Sequence, residues 1–453
     1  MILVDYFPLL MLLTLAVLLF TGFPVGGILA GVGVSFALLG LMIDEFPLAS
    51  LYLVPNKVYS AIGENLIYPA VPMLLFMGVA LEISGAAREL LLCLQRILAR
   101  IPGNMCVSVI LIGLLLAPMA GVIGASVATI TLAALPTMLE QRYRPEVATG
   151  AIAAAGTLGV IAPPAIMLFF LSDALDLTIA NMFLAPIVPI LCLALAFSVY
   201  FIVSDIVWSR PQDKAGTQID YGPLLPHIIR GLVLPVGLIV LVLGSIIAGW
   251  VAPSESAAVG AVGAALLIFL YRGFDISLLR KALYRTMIIT GMVFFVVMGA
   301  SLFSLVFRFY GGDDIAIGLF ESLALSDFGI LFVILLILFV LGFFIDWIEI
   351  TLVSLPILYP AIKALDFAQY VGSDQLARLW IGALIALVLQ TSFLTPPFGF
   401  ALFFLKGSAP PEISMASIYR GVVPLVLLQL LMIGLVLILP ATVTWLPTAV
   451  LGS

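Results

Sequence analysis

The sequence predicts an all-α polytopic membrane protein made of two inverted repeats, each with a re-entrant hairpin and a broken helix. Three observations carry this. The chain is 64% hydrophobic and only 9% charged, with mean hydropathy +1.31, whereas soluble domains run near 45–50% apolar and about 25% charged. The segment Ile130-Thr131-Leu132-Ala133-Ala134-Leu135-Pro136 returns about 220 residues later as Ile350-Thr351-Leu352-Val353-Ser354-Leu355-Pro356. Each copy is followed by a double proline and an apolar run: Pro163-Pro164 with Leu168-Phe169-Phe170-Leu171, and Pro396-Pro397 with Leu402-Phe403-Phe404-Leu405. Two matching sets of interrupted hydrophobic segments point to a secondary transporter with its site between the repeats.

The apolar stretches are long enough for helical spans rather than barrel strands. Residues 1–65 supply N-terminal scaffold spans near 8–20 and 24–42; the start lacks a basic region and a cleavage site, so it reads as a retained span. The first repeat covers 66–208. A span near 66–84 leads to an arm helix at 86–100, where Arg88, Glu89, Gln95, Arg96 and Arg100 interleave with leucines in the pattern of a surface-lying amphipathic helix. A hairpin at 104–141 has its tip near 119–126; a broken helix at 146–172 and a span near 182–207 follow. Residues 209–225 form a cytoplasmic linker, and 226–285 carry connecting scaffold spans near 226–248 and 255–271. The second repeat, 286–453, holds a span near 286–308, a surface segment at 309–328, a hairpin at 329–365 with its tip around 342–350, a broken helix at 377–406 and a last span near 420–442.

Basic residues orient this layout. Arg88, Arg96, Arg100, Arg142, Arg144, Arg210, Lys214, Arg230, Arg272, Arg280, Lys281, Arg285, Lys406 and Arg420 fall on one side, which is then cytoplasmic. Lys57, Arg308, Lys363 and Arg378 are exceptions. The first hairpin then opens inward and the second outward, so the repeats are inverted and both termini face outward.

The hairpins align without a gap, pairing Ser126 with Asp346, Thr129 with Glu349 and Thr131 with Thr351. Carboxylates at membrane depth are costly and face a partner, a cation or water; the bland reading of Asp346 and Glu349 is a solvated hairpin tip. At each break, proline removes its N–H and disrupts the preceding turn, freeing carbonyls that suit a hard cation together with hydroxyl oxygens. The expected Na⁺ ligands are Gly121, Gly124, Ser126, Thr157, Gly159 and Ala162 at the first break, and Gly342, Asp346, Thr391 and Thr395 at the second. Pro163, Pro164, Glu349, Thr351, Ser392, Pro396 and Pro397 would line the substrate path, and Gln390 lies beside the second break.

Other residues have structural readings. Cys93, Cys106 and Cys192 show no metal spacing and read as small apolar core residues; His227 reads as interfacial. Glu255 caps a span start, Glu82 sits at the inner interface, and Arg308 anchors a span end. Trp208, Trp250 and Trp445 lie near span ends as belt residues. The chain has no P-loop, nucleophile elbow or metal-ligand spacing, so it is expected to be no enzyme and to hold no cofactor or transition metal.

Gly156-Thr157-Leu158-Gly159-Val160-Ile161-Ala162-Pro163-Pro164, the segment Gly342 to Pro360, and Leu394-Thr395-Pro396-Pro397-Phe398-Gly399 occur in an order and spacing that resemble the large membrane (M, DctM-like) subunit of a tripartite ATP-independent periplasmic (TRAP) transporter. The resemblance spans nearly the whole chain. It implies an ion-transporter-superfamily fold working as an elevator, with a scaffold braced by the arms. It also implies Na⁺ as coupling ion, small organic anions as cargo, a separate small four-helix membrane (Q) subunit, and a periplasmic substrate-binding (P) protein docking on the outer face. The place would be the inner (cytoplasmic) membrane of a bacterium or archaeon, and nucleic acid is not an expected partner. The chain departs from the family pattern at Val122-Ile123-Gly124-Ala125-Ser126, where many members carry Ser-Gly-Ser, and at Ala165, where a serine is common; the first cation site would rely more on backbone carbonyls. The alternative is a stand-alone Na⁺- or H⁺-coupled organic anion symporter. An intramembrane acid enzyme and a channel are both disfavoured by the duplicated breaks.

Overall fold

The computed structural model describes residues 4–64, 68–116, 123–208 and 224–452, and every regular element among them is helical. By length and composition nine of these helices can cross a membrane, or up to twelve when each bent pair counts as one span. Residues 209–223 of the linker and 117–122 of the first hairpin, Gly121 among them, lie outside the described residues.

The same order of elements occurs twice. In the first half, Ala70–Ser84 bends by 64° into Ala86–Ile97 at Gly85, whose φ of 85° is left-handed. Next come the hairpin helices Asn104–Leu116 and Ile123–Glu140. Pro145–Ile161 is bent by 44° from Ile166–Ala174 at Pro163-Pro164, and Ile187–Trp208 closes the set. In the second half, Ile276–Phe309 gives way to Gly312–Ser322 at Gly311, with φ of 75°. Asp327–Leu341 folds back at a 120° turn from that arm and runs to Gly342. The return leg runs through Trp347–Glu349, Ile350–Ser354 and Leu355–Ala364. Asp374–Leu394 and Phe400–Ser408 flank Pro396-Pro397, and Met415–Ile438 follows. Both Pro–Pro bonds are cis.

The structure differs from the sequence layout in places. The span expected at 286–308 belongs to one helix of 34 residues starting at Ile276. At 1.5 Å per residue it is about 51 Å long, well beyond a hydrocarbon layer of about 30 Å. Its first turns, with Arg280, Lys281 and Arg285, therefore project out of the apolar layer. On the return leg of the second hairpin, Pro356 denies the Leu352 carbonyl its helical donor, and Ile350–Ser354 relaxes into a wider π turn. Cys93 and Cys106 are buried as expected of core residues, but Cys192 is exposed, because it lies on the outward face of Ile187–Trp208 with Leu191 and Leu195. Glu255 accepts from the Ala252 N–H at 2.9 Å, and His227 Nδ1 stands 3.2 Å from Glu89 Oε2 against the arm.

The second broken helix forms the centre. Of the span-length helices, Asp374–Leu394 is 89% buried, against 22–50% for the others. It packs on Pro145–Ile161, which in turn packs on Asn104–Leu116 and Met415–Ile438. Glycines permit these approaches. Gly113 lies against the Ala155 backbone, and a Cβ at Gly150 would stand 2.5 Å from the Gly421 carbonyl oxygen. With no hydrophobic force between helices in lipid, close backbone contact supplies the van der Waals attraction. Gly421→Leu should therefore lower the thermal unfolding temperature of the purified chain, at a cost of about 1–3 kcal/mol for overpacking; an unchanged melting temperature in a detergent thermal-shift assay would count against this contact.

Candidate cation and substrate site at the two helix breaks

Each break is built by its prolines. Pro164 removes the donor that the Val160 carbonyl would take in a continuous helix, and Pro397 removes that of Phe393. The chain leaves the helix at Ala162 and Thr395, both in extended conformation. A new half-helix starts beyond each, so the positive N-terminal ends of Ile166–Ala174 and Phe400–Ser408 face the breaks.

Hydroxyls beside the breaks spend their protons on the helix. Thr157 Oγ1 donates to the Ala154 carbonyl at 3.1 Å, Thr391 to Leu387 at 2.8 Å, Ser392 to Leu389 at 2.7 Å and Thr395 to Thr391 at 2.7 Å. Each oxygen keeps lone pairs for a cation or a donor. Thr157, Gly159, Ala162, Thr391 and Ser392 are buried, and Thr395 is half-buried. Pro164 is buried and Pro163 and Pro396 are half-buried, whereas Pro397 is exposed and its carbonyl accepts from the Tyr419 hydroxyl at 2.8 Å.

The hairpins close over the breaks crosswise. Val127 of the first hairpin touches Gly156 before the first break, and Gly124 rests on the ring of Phe404 beyond the second. Gly342 of the second hairpin touches Ser392 before the second break, and Trp347 meets Phe170 beyond the first, ring centroids 5.9 Å apart. Gly124, Gly342 and Ser392 are thus brought to the same joints as the prolines. Half-buried Ser126 lies one residue from the Val127–Gly156 contact. Asp346 is half-buried and commits Oδ1 to capping its own helix, accepting from the Trp347 N–H at 2.8 Å. Glu349 faces a different space, a cavity shared with Leu15, Leu29 and Phe307. Thr351 is fully buried, and its hydroxyl has no hydrogen-bond partner, whereas Thr131 donates to Val127 at 2.6 Å.

Sequence reasoning named Gln390 at the second break but passed over Gln429 and Gly399. Gln390 and Gln429 are buried, and both side-chain polar atoms of each lack partners. Buried amides are normally satisfied, so these two mark polar interior that the protein alone does not fill. Gln390 stands six residues before Pro396, as Thr157 stands before Pro163. The available signal for Gln429 was one amide inside an apolar helix. Gly399 is the second omission. A Cβ there would stand 2.8 Å from the Phe393 carbonyl oxygen and 2.9 Å from that of Thr395, so only glycine leaves both oxygens uncovered.

Helices interrupted at matching points, flanked by hairpins and lined with oxygen atoms, define the architecture of a membrane transporter. A family model described as "Tripartite ATP-independent periplasmic transporter, DctM component" matches residues 12–442, and the chain belongs to that family of large permease proteins. It is 27% identical to the C4-dicarboxylate TRAP transporter large permease protein DctM of Pseudomonas aeruginosa, over 92% of this chain and 93% of that one. It is 26% identical to the sialic acid TRAP transporter large permease protein SiaM of Vibrio cholerae, over 96% and 97%. The isethionate TRAP transporter permease protein DctMQ of Oleidesulfovibrio alaskensis is 26% identical over 93% of this chain but only 64% of its own length. Among solved structures, the Alcanivorax borkumensis YdaH transporter shares the fold, with TM-score 0.59 over 87% of this chain and 89% of that one at 14% identity. The chain is a multi-pass membrane protein of a transporter family, and its relatives are permeases.

Under the expected Na⁺ coupling, Gly399→Ala should raise the Na⁺ concentration for half-maximal uptake at least about fivefold, because a methyl group there would crowd oxygens that a hard cation has to approach. Uptake titrated against Na⁺ checks this; an unaltered Na⁺ response would remove the Phe393 and Thr395 carbonyls from the site.

Proposed function

We propose that this chain is the permease subunit of a secondary importer that couples inward Na⁺ movement to uptake of a small organic anion. The observation that carries the reading is the pair of proline breaks, in two broken helices that pack on each other, each with freed carbonyls and hydroxyl lone pairs beside a hairpin. One cation site would use Gly124, Ser126, Thr157, Gly159 and Ala162, and the other Gly342, Asp346, Thr391 and Thr395. The anion would lie between them near Ser392, Thr351 and Gln390, with the half-helix N-termini supplying positive potential.

The packing of Ala70–Ser84 with Pro253–Arg272 and of Val25–Met42 with Ile276–Phe309 supports a division into two bodies. Phe7–Leu19, Val25–Met42, Ala70–Ser84, Leu234–Ile247, Pro253–Arg272 and Ile276–Phe309 form a scaffold; the hairpins and broken helices form a carrier that moves against it with the repeats inverted. The relatives named above are TRAP permeases for a dicarboxylate and a sugar acid, which supports an organic acid as cargo, delivered by a periplasmic binding protein at the cytoplasmic membrane. A separate four-helix membrane subunit completes the transporter, in keeping with the relative whose name joins M and Q in one chain.

Reconstituting the chain with both partners in proteoliposomes tests the reading. Uptake of the binding protein's ligand should require an inward Na⁺ gradient and both partners; equal uptake by this chain alone would identify a stand-alone symporter instead. Asp346→Ala should cut Na⁺-dependent uptake by about tenfold or more while membrane insertion is retained. Normal uptake with normal Na⁺ dependence would take Asp346 out of the site.

A further inference from the structure

Glu349 is a half-buried carboxylate that the proposed site leaves without a task. Its Oε2 is shielded and has no hydrogen-bond partner. It lines a cavity of about 270 Å³ whose other walls, such as Leu15, Leu29, Phe307 and Phe320, are apolar. A charge so placed gains from a cation that meets it in some state of the protein.

Two independent registers indicate which cation. The hairpins align Glu349 with Thr129. Thr129 has a partner: its Oγ1 donates to Glu82 Oε1 at 2.8 Å, and the same oxygen accepts from Arg285 Nη1 at 2.9 Å. Glu82 lies three residues before Gly85, the left-handed glycine that opens the first arm. The second arm opens at the left-handed Gly311, and three residues before it stands Arg308. Thr129 thus corresponds to Glu349, and Glu82 to Arg308. In the first half these positions touch. In the second, Arg308 Nε is 3.4 Å from Asp313 Oδ2 on a half-exposed side chain, and Glu349 faces the cavity that Phe307 also lines.

We propose that Arg308 and Glu349 form an ion pair in the state opposite to this one, made when the Thr129–Glu82 contact is broken. The inference rests on the reading of inverted repeats that exchange conformations during transport. When they exchange, the contact closed in one half opens and its counterpart closes. Arg308 then trades a half-exposed pair of little worth for a desolvated carboxylate that binds guanidinium strongly. Glu82 keeps Arg285 when Thr129 departs, whereas Asp313 gives up Arg308 and is left to solvent or another partner. Arg308 and Glu349 are positioning residues that set the balance between the two states.

Cross-linking in proteoliposomes reads this geometry without needing transport. With Cys192→Ser removing the exposed thiol, Arg308→Cys/Glu349→Cys and Glu82→Cys/Thr129→Cys chains are treated with a short bis-maleimide, which alkylates one thiol at each end, and their linked peptides counted by mass spectrometry. Both pairs should link, and exchanging Na⁺ for choline should move the two yields in opposite directions. A 308–349 link that never forms under conditions where the 82–129 link does, or yields that rise and fall together, would overturn the proposal. Uptake adds a readout that a merely structural role would not produce: Arg308→Gln and Glu349→Gln should each slow transport by about tenfold, and together no more than the slower one alone, as for coupled partners. Multiplicative losses would also overturn it. If the wild-type chain with its partners shows no Na⁺-driven uptake, it is the transport reading that fails, and the cross-links still report on the pair.

Discussion

A backbone carbonyl in hydrocarbon must find a partner, and this fold depends on that rule. Helices satisfy it internally, so an apolar layer admits them and little else. Two proline pairs break the rule on purpose, at Pro163-Pro164 and Pro396-Pro397, by deleting donors in mid-helix. Such breaks persist only where protein surrounds them. That is why Asp374–Leu394 is far more buried than other spans of its length, and why each hairpin covers one break on the near side and the other on the far side. The central position of the broken helices follows from the chemistry of the peptide group.

Close packing makes the position tenable. Gly113, Gly150, Gly156 and Gly421 let neighbouring backbones meet around the first broken helix, and Gly26 and Gly299 do the same between Val25–Met42 and Ile276–Phe309. Polar contacts also join Ala70–Ser84 and its approach to the helices beside it. Tyr68 reaches Asp173 at 3.5 Å at one end of Ala70–Ser84, and Glu82 receives Thr129 at the other.

Much of this was legible in the residues. Hydropathy and the two proline pairs give the helical class and the transporter type, because both follow from local composition and from a repeat that alignment exposes. The contacts that join elements were not legible. Glu82 reads as an interfacial acid until the fold places Arg285, 203 residues on, within 2.9 Å of it. Glu349 looks like a twin of Asp346 at i, i+3, yet Asp346 stands ahead of the turn as its N-cap while Glu349 lies within it and lines the apolar cavity. Cys192 reads as core because apolar spans do not reveal which face meets lipid. The gap left by Gly399 is invisible without coordinates, since it concerns the carbonyls of Phe393 and Thr395, six and four residues away, rather than any side chain.

The repeats match in architecture but differ in charge, and on the proposed function that difference matters for coupling. Where the second hairpin carries Asp346, the first carries Ser126. A cation held by Asp346 is neutralised by its ligand. A cation held by Ser126, Thr157 and backbone carbonyls keeps its full charge, and in a poorly screened interior that charge acts strongly on a neighbouring anion. The first cation would therefore draw the anion in, and the second would release a carboxylate that otherwise repels it. Both effects tie cargo binding to Na⁺, one by attraction and one by relief of repulsion, so two unequal sites favour coupled binding over binding of the anion alone.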